Sequence, residues 1–298
     1  MENPPTQTEC QTNRSVSVVI PARNAADTIG AQLNALMDQE YDGALEVIVV
    51  VNASTDGTAD VVERFSTGRW PVRAVHEAVA GVNRARNAGV AAASGELILL
   101  CDADDVVGPG WVQELASVLK VADLVGGLVD AATLNSREVR EMWDMEPLVR
   151  PRHQYIGFDS PWGCNCGFRR AAWQSVGGFD SELSGAMDEV EFFVRAQVAG
   201  FRLQFSELAV IQYRLRDDRR SARRRQYQNG LVGATLKARY RGMAPRVKIW
   251  RSAPIAWIWL LVQAPRACVD RNFRWRWTGT AERRVGQFVG WKKSRTVR

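Results

Sequence analysis

The stretch GELILLCDADDV, residues 95–106, carries an apolar run, Leu97-Ile98-Leu99-Leu100, straight into three carboxylates, Asp102, Asp104 and Asp105. A short apolar run closed by turn residues fits a strand buried on both faces, the kind found in parallel sheets. The three like charges at its end repel, and each raises its neighbours' pKa unless something positive lies among them. Alternate carboxylates on a short linker can address one hard divalent cation, with a diphosphate supplying further oxygens. An acidic turn can also merely cap a helix, so the flanking sequence has to decide.

Upstream, SVSVVI (15–20), LEVIVVV (45–51) and the shorter PVRAVH (71–76) read as further strands. Between them lie helical patterns: AADTIGAQLNALMDQ spaces Ile29, Leu33, Leu36 and Met37 along one face, a second helix runs from Ala59 to about Phe65, and GVNRARNAGVAAA opens on a glycine. Continuous apolar strands alternating with helices predict an α/β fold, a Rossmann-like, mostly parallel sheet with helices on both faces. Ligands bind such sheets beyond the carboxyl ends of the strands. Pro21 to Asn24, Asn52 to Thr58 and Asp102 to Asp105 all fall there. Downstream come an amphipathic helix from Trp111 to about Lys120 and a strand in ADLVGGLVD (122–130). Residues 131–160 show little periodicity and are expected to include a mobile loop. A Gly-Gly turn at 177–178, a helix in DEVEFFVRAQVAG (188–200) and a strand in FRLQFSELAVIQYRLR (201–216) follow.

The order SVVIPARN, EVIVVVNASTDGTADV, GVNRARNAGVAAASGELILLCDADD and GGFDSELSGAMDEVEFFVRAQVAGFRL resembles the family 2 glycosyltransferases of the GT-A fold. The resemblance runs from about Ser15 to Arg216, and its blocks are specific in order and spacing. It implies an inverting enzyme that takes a sugar from a nucleotide-diphosphate donor with the help of Mn²⁺ or Mg²⁺. By the same resemblance Pro21, Ala22, Arg23 and Asn24 form the first donor-contacting loop. Asn52 and Asp56 belong to the turn after the second strand, Arg86 reaches towards base or phosphates, and Asp102 and Ala103 border the nucleotide. Asp104 and Asp102 match the metal motif, Asp104 as the more direct ligand and Asp105 as its support. Asp188-Glu189 falls where the family carries its acidic dyad. Glu189 is then the base that takes the acceptor hydroxyl's proton and Asp188 its substitute, whereas a purely structural reading has both acids favouring a helix N-terminus.

Three departures shape the expectations. Relatives that bind uridine nucleotides carry an Asp where this chain has Val51, which leaves a guanosine or thymidine donor open. A metal-binding His near 209–213 is replaced by the run AVIQYRL, and the only histidines are His76 and His153. RRRQYQNG (223–230) lacks the Trp of the processive polysaccharide synthases, so simple transfer is expected.

Composition adds limits. The 298 residues are 46% hydrophobic and 24% charged, enough for a real core and against disorder. The five cysteines are scattered, and Cys164-x-Cys166 has no second pair or nearby His, so reduced thiols are expected and zinc is not. The N-terminus is polar, with no signal-peptide core. Net charge is +6, yet residues 246–298 alone hold 13 Arg and Lys against 2 acids, together with six of the 11 tryptophans. Within them SAPIAWIWLLVQAP (252–265) has no charge but falls short of the roughly 20 apolar residues of a membrane span. Flanked by Arg251 and Arg266, it reads as lying in a membrane interface or as packing on the catalytic domain.

The expected organisation is a flexible tail (1–14), a GT-A catalytic domain (15–245) and a helical, basic, Trp-rich extension (246–298). The catalytic domain divides into a donor half (15–125) and an acceptor half (126–245). The expected partners are a nucleotide-sugar donor, a glycan or lipid-linked acceptor of the cell envelope and an anionic membrane surface, with no nucleic acid. The expected location is the cytoplasmic face of the membrane. A nucleotidyltransferase and a non-catalytic glycan- or lipid-binding protein on the same fold stay open as alternatives.

Overall fold

The structure, a computed structural model, describes residues 14–150, 153–183, 187–240 and 252–296. The N-terminal tail up to residue 13 and the 245–246 boundary lie outside the described residues. The first half alternates β1 (Val16–Ala22), α1 (Ile29–Met37), β2 (Leu45–Asn52), α2 (Thr58–Glu63), β3 (Val72–Glu77), α3 (Val82–Ala92) and β4 (Leu97–Leu100). Then come β5 (Val106–Val107), α4 (Trp111–Val118), β6 (Leu124–Asp130), α5 (Arg137–Trp143), β7 (Leu148–Val149), β8 (His153–Tyr155) and β9 (Phe158–Ser160). The second half continues with β10 (Cys166–Arg169), α6 (Arg170–Val176), α7 (Asp188–Val198) and β11 (Leu203–Gln212). Three helices follow, α8 (Arg219–Arg239), α9 (Ser252–Val269) and α10 (Arg271–Thr296).

The main sheet runs β3-β2-β1-β4-β10-β6-β11-β5, with β7 beside β6. β1 is parallel to β2 and β4, β2 to β3, and β6 to β11. β10 is antiparallel to both β4 and β6 and sits between the two parallel halves. Val47, Ile48, Val49 and Val50 of β2 are all fully buried, as expected for a strand covered on both faces. Pro21 lies in β1 past its last pairing with β4 at Val19, where the ladder on that side has ended.

Within 131–160 the described residues form short elements, α5, β7 and the β8–β9 hairpin, joined by irregular segments. Elements of two to seven residues are too short to display a full hydrophobic period. The polar ties that hold the halves together are equally invisible to periodicity. Fully buried Asn165 donates to the carbonyls of Leu128 and Ala209 (2.8 and 2.9 Å) and accepts from Trp111 Nε1 (2.7 Å), clamping β6, β11 and α4.

Two of the C-terminal helices, α8 and α10, pack against each other through glycine. A Cβ on Gly230 of α8 would strike the Arg283 carbonyl oxygen of α10, one on Gly286 that of Tyr227, and one on Gly290 that of Leu231. The two backbones can touch only because these positions lack side chains, as in other small-residue helix contacts. Replacing Gly286 with Leu should therefore cost at least about 3 kcal/mol of α8–α10 docking, because the clash is with backbone. Limited proteolysis should then cut beyond residue 240 in the variant while the α/β core resists; unchanged cleavage would contradict this packing. No described helix is long and apolar enough to cross a membrane.

Candidate active site

The carboxyl ends of β1, β2 and β4 lie side by side and carry three of the loops singled out above. Asn24, in the left-handed region (φ 50°), accepts from the Thr55 amide (2.9 Å), and its own amide donates to Ser54 Oγ (3.1 Å). Asp56 accepts from the amides of Ala26 and Thr58 (3.0 and 3.1 Å), and its hydrogen bonds, those from Thr58 first, hold its carboxyl below the usual range. Asn52 is spent in the same way. Its Nδ2 donates to the carbonyls of Glu77 and Val79 (3.1 and 2.7 Å), and its Oδ1 accepts from Gly81 (2.8 Å). The side chains of Asn24, Asn52 and Asp56 therefore hold loops to one another. Arg23 is exposed, Ala22 is buried, and Val51 is almost buried at the end of β2. His76 sits on the edge strand β3, exposed and away from the acidic turn in sheet order.

The acidic turn is built from the inside outward. Asp105 is fully buried; its Oδ1 accepts from the Arg214 amide (2.8 Å), and its Oδ2 has only the weak Cys164 thiol beside it, with no hydrogen bond of ordinary geometry. Burial, and then Asp104 and Asp102, push the Asp105 pKa well above the carboxylate range. Asp102 and Asp104 are only partly buried and open outward, while Ala103 between them is buried. Burial pushes Asp102 up to about 6 against the opposing pull of Arg86, and burial raises Asp104 as well. Ligand atoms of Asp102, Asp105 and Cys164 lie within 4.8 Å of one another. The Cys164 thiol, its pKa driven far up by burial, is a poor partner for a hard cation. Clustered carboxylates with raised pKa values and an unsatisfied buried oxygen on Asp105 are short of positive charge, and their oxygens are of the kind a hard divalent cation takes.

Arg86 supplies a buried cation beside Asp102. It is almost completely buried, donates to Asn83 Oδ1 (3.3 Å) and lies 3.9 Å from Glu189 Oε2. Burial disfavours its charge, but Glu189, Asp102 and Asp188 outweigh that and hold its pKa above the ordinary arginine value. A Cβ on Gly163 would meet both Arg86 and Glu189 at 2.8–2.9 Å, so the pair is closely walled. Asp188 and Glu189 open α7. Asp188 is buried, with its carbonyl held by Asn83 Nδ2 (3.3 Å), while the Glu189 side chain keeps 14% of its surface open. The fold thus brings Arg86, Asp102, Asp188 and Glu189 into one electrostatic cluster.

Several participants went unread in the sequence. Gln32 of α1 is fully buried and grips the acidic turn from both ends: its Nε2 donates to the Asp102 carbonyl (3.1 Å) and its Oε1 accepts from Val107 N (2.9 Å). Asn87 fixes the turn at 177–180 by accepting from Phe179 N (2.9 Å) and donating to Phe179 O (2.8 Å). Two residues beyond β11, close to where the resemblance implied a metal-binding His, stands Arg214, whose Nε donates to the Asp104 carbonyl (3.0 Å). Arg216 and Arg225, the latter from α8, come near enough to lower the Asp104 pKa, and Arg225 also lowers that of Asp102. Arginine beside an acidic turn was the available signal, hidden because α8 was not read as a helix.

Residues 17–177 match the family model described as Glycosyl transferase family 2. The chain belongs to this family. Among curated relatives it is 31% identical over 165 residues to the uncharacterized glycosyltransferase YibD of Escherichia coli (54% of this chain, 46% of the relative). It is 30% identical over 195 residues to the glycosyltransferase AglE of Haloferax volcanii (64% of each). The chain thus spans roughly half to two thirds of the length of these relatives. Its fold is that of the mannosyltransferase PcManGT from Pyrobaculum calidifontis, solved with GDP-Man and Mn²⁺, at a TM-score of 0.67 and 21% identity over 94% of this chain and 88% of that one. The GT-A architecture expected for the family 2 sequence is the one observed.

Proposed function

We propose that this family 2 protein is a metal-dependent, inverting glycosyltransferase that moves a sugar from a nucleotide diphosphate to a hydroxyl of a glycan or lipid-linked acceptor. The observation that carries the reading is the cluster of Glu189, Arg86 and Asp102 at the carboxyl edge of the sheet. Glu189 takes the proton of the acceptor hydroxyl as that oxygen bonds to the anomeric carbon. The bond from that carbon to the diphosphate breaks, and the nucleoside diphosphate leaves with its electron pair. Attack and departure on opposite faces invert the centre without a covalent enzyme intermediate. Arg86 holds Glu189 in place and adds positive charge beside the site. Asp102 and Asp104 would hold Mn²⁺ or Mg²⁺, which when bound offsets charge on the departing diphosphate.

PcManGT, with the same fold, holds both GDP-Man and Mn²⁺, which supports a nucleotide-sugar and metal reading here. Val51 leaves no carboxylate at the end of β2 to read a uracil ring. A thermal-shift screen of GDP, dTDP and UDP with and without Mn²⁺ should therefore give its largest Mn²⁺-dependent shift with GDP or dTDP. The absence of any nucleotide-dependent shift would overturn the proposal.

Gln32 acts as a positioning residue. Gln32→Met keeps the volume and removes both grips on the turn, so apparent Mn²⁺ affinity should fall roughly tenfold or more, as when outer partners of metal ligands are lost. Titrating Mn²⁺ at saturating nucleotide checks this. An unchanged midpoint would reduce Gln32 to a packing role.

A further inference from the structure

α5, α8, α9 and α10 line an open cavity of about 710 Å³, none of whose lining residues belongs to the acidic turn. Five arginines line it, Arg219, Arg223, Arg276, Arg283 and Arg284, against one acid, Asp144. Asp144 is taken by Arg276 (3.0 Å), and Arg223 is neutralised by Glu282. The other three have no acidic partner among the described residues. Arg219 lies over the Trp275 ring (3.9 Å), Arg283 donates to Gln226 (2.9 Å) and Arg284 to Gln287 (2.8 Å). Arg284 Nε and Trp275 Nε1 are buried donors without an acceptor, and both residues line the cavity. Burial lowers the pKa of both Arg283 and Arg284, the sign of cations kept from water without a counter-charge. Such a pocket lacks an anion with several acceptor oxygens.

The helix forming one wall supplies the second half of a ligand site. α9 packs inward with Leu260 and Ala267, and Trp277 Nε1 donates to the Leu260 carbonyl (2.8 Å). Its outward face is the more apolar one: Ile255, Ile258, Leu261 and Val262 are between 59% and 75% exposed. An exposed apolar stripe next to a cationic pocket inverts the usual amphipathic order and marks a binding surface. Ile255 belongs to both stripe and cavity wall, so one amphiphile can reach the two at once.

We propose that this cavity seats the phosphate headgroup of an anionic phospholipid while the outer face of α9 lies among its acyl chains, docking the protein on an anionic bilayer. The phosphate oxygens accept from Arg283, Arg284 and Trp275, and the apolar stripe enters the interface without crossing it. The excess of 13 basic over 2 acidic residues in 246–298 supplies the complementary charge. The site is separate from the proposed transfer chemistry and does not depend on it.

The test is flotation of the full chain with vesicles of phosphatidylcholine alone or of phosphatidylcholine with phosphatidylglycerol. Binding is expected with the second and not the first. Arg283→Glu with Arg284→Glu should weaken it at least roughly tenfold. Leu261→Ser with Val262→Ser, at exposed positions that leave folding intact, should weaken it comparably. Inorganic phosphate should not release the protein from vesicles. Equal flotation with neutral vesicles, or unchanged binding in either double variant, overturns the proposal. Release by inorganic phosphate together with indifference to the Leu261 and Val262 changes would show a soluble-anion site instead.

Discussion

Replacing Glu189 with Gln should lower kcat by roughly 100-fold or more, the usual worth of a general base, while donor affinity stays within about twofold of the parent. Gln keeps the length and shape of Glu but takes no proton at neutral pH. The change removes one of the charges around Arg86, yet Asp102 and Asp188 still face that guanidinium, so the buried cation stays compensated. The effect should therefore appear in turnover, with little change in melting temperature or in the Mn²⁺-dependent response to nucleotide. Asp188→Asn is the matched control. Asp188 is buried at the first position of α7 with its carbonyl tied to Asn83, so this change should cost stability and leave most of the turnover. Full turnover in Glu189→Gln, with turnover lost in Asp188→Asn at unchanged melting temperature, would move the base to Asp188.

The contrast between these neighbours shows what a linear reading can reach. The strands β1, β2 and β4 were legible because each buries both faces and so consists of nearly unbroken apolar residues. The acidic turn was legible because three carboxylates directly after a core strand have few structural uses. The pair Asp188-Glu189 was found by resemblance, and only burial separates the two roles. Gln32 was out of reach: along α1 it is one polar residue in an amphipathic helix, and its partner Asp102 is 70 positions away. Asn165, a lone amide between Cys164 and Cys166, clamps three elements without any mark in the local sequence. α8 is hard to read because its contact with α10 runs through backbone at Gly230, Gly286 and Gly290, and its buried apolar residues, Val232 and Leu236, lie only in its last two turns. What periodicity reports is side-chain burial; polar clamps and glycine contacts bury backbone or amide groups and leave no period.

Asp104→Asn should abolish the Mn²⁺-dependent part of the nucleotide shift, whereas Cys164→Ser should leave it intact and Asp105→Asn should largely retain it. Two arrangements of ligands compete here. Asp102, Asp105 and Cys164 bring their ligand atoms within 4.8 Å of one another, the tighter cluster. Yet Cys164 and Asp105 are buried behind the turn, the thiol is held far above its ordinary pKa, and Asp105 already spends one oxygen on the Arg214 amide. A cation there would be cut off from the donor diphosphate it must also touch. Asp102 and Asp104 are only partly buried, and oxygen donors suit Mn²⁺ and Mg²⁺ better than a protonated thiol does. In metal-free buffer Asp105→Asn should melt higher than the parent by a few degrees, because it removes a buried carboxyl from beside two others at a gain of about 1 kcal/mol. Loss of the Mn²⁺ response in Cys164→Ser or Asp105→Asn, with its survival in Asp104→Asn, would place the ion in the buried cluster. The same result would separate metal binding from the diphosphate, since an ion behind the turn can stabilise the fold without meeting the donor.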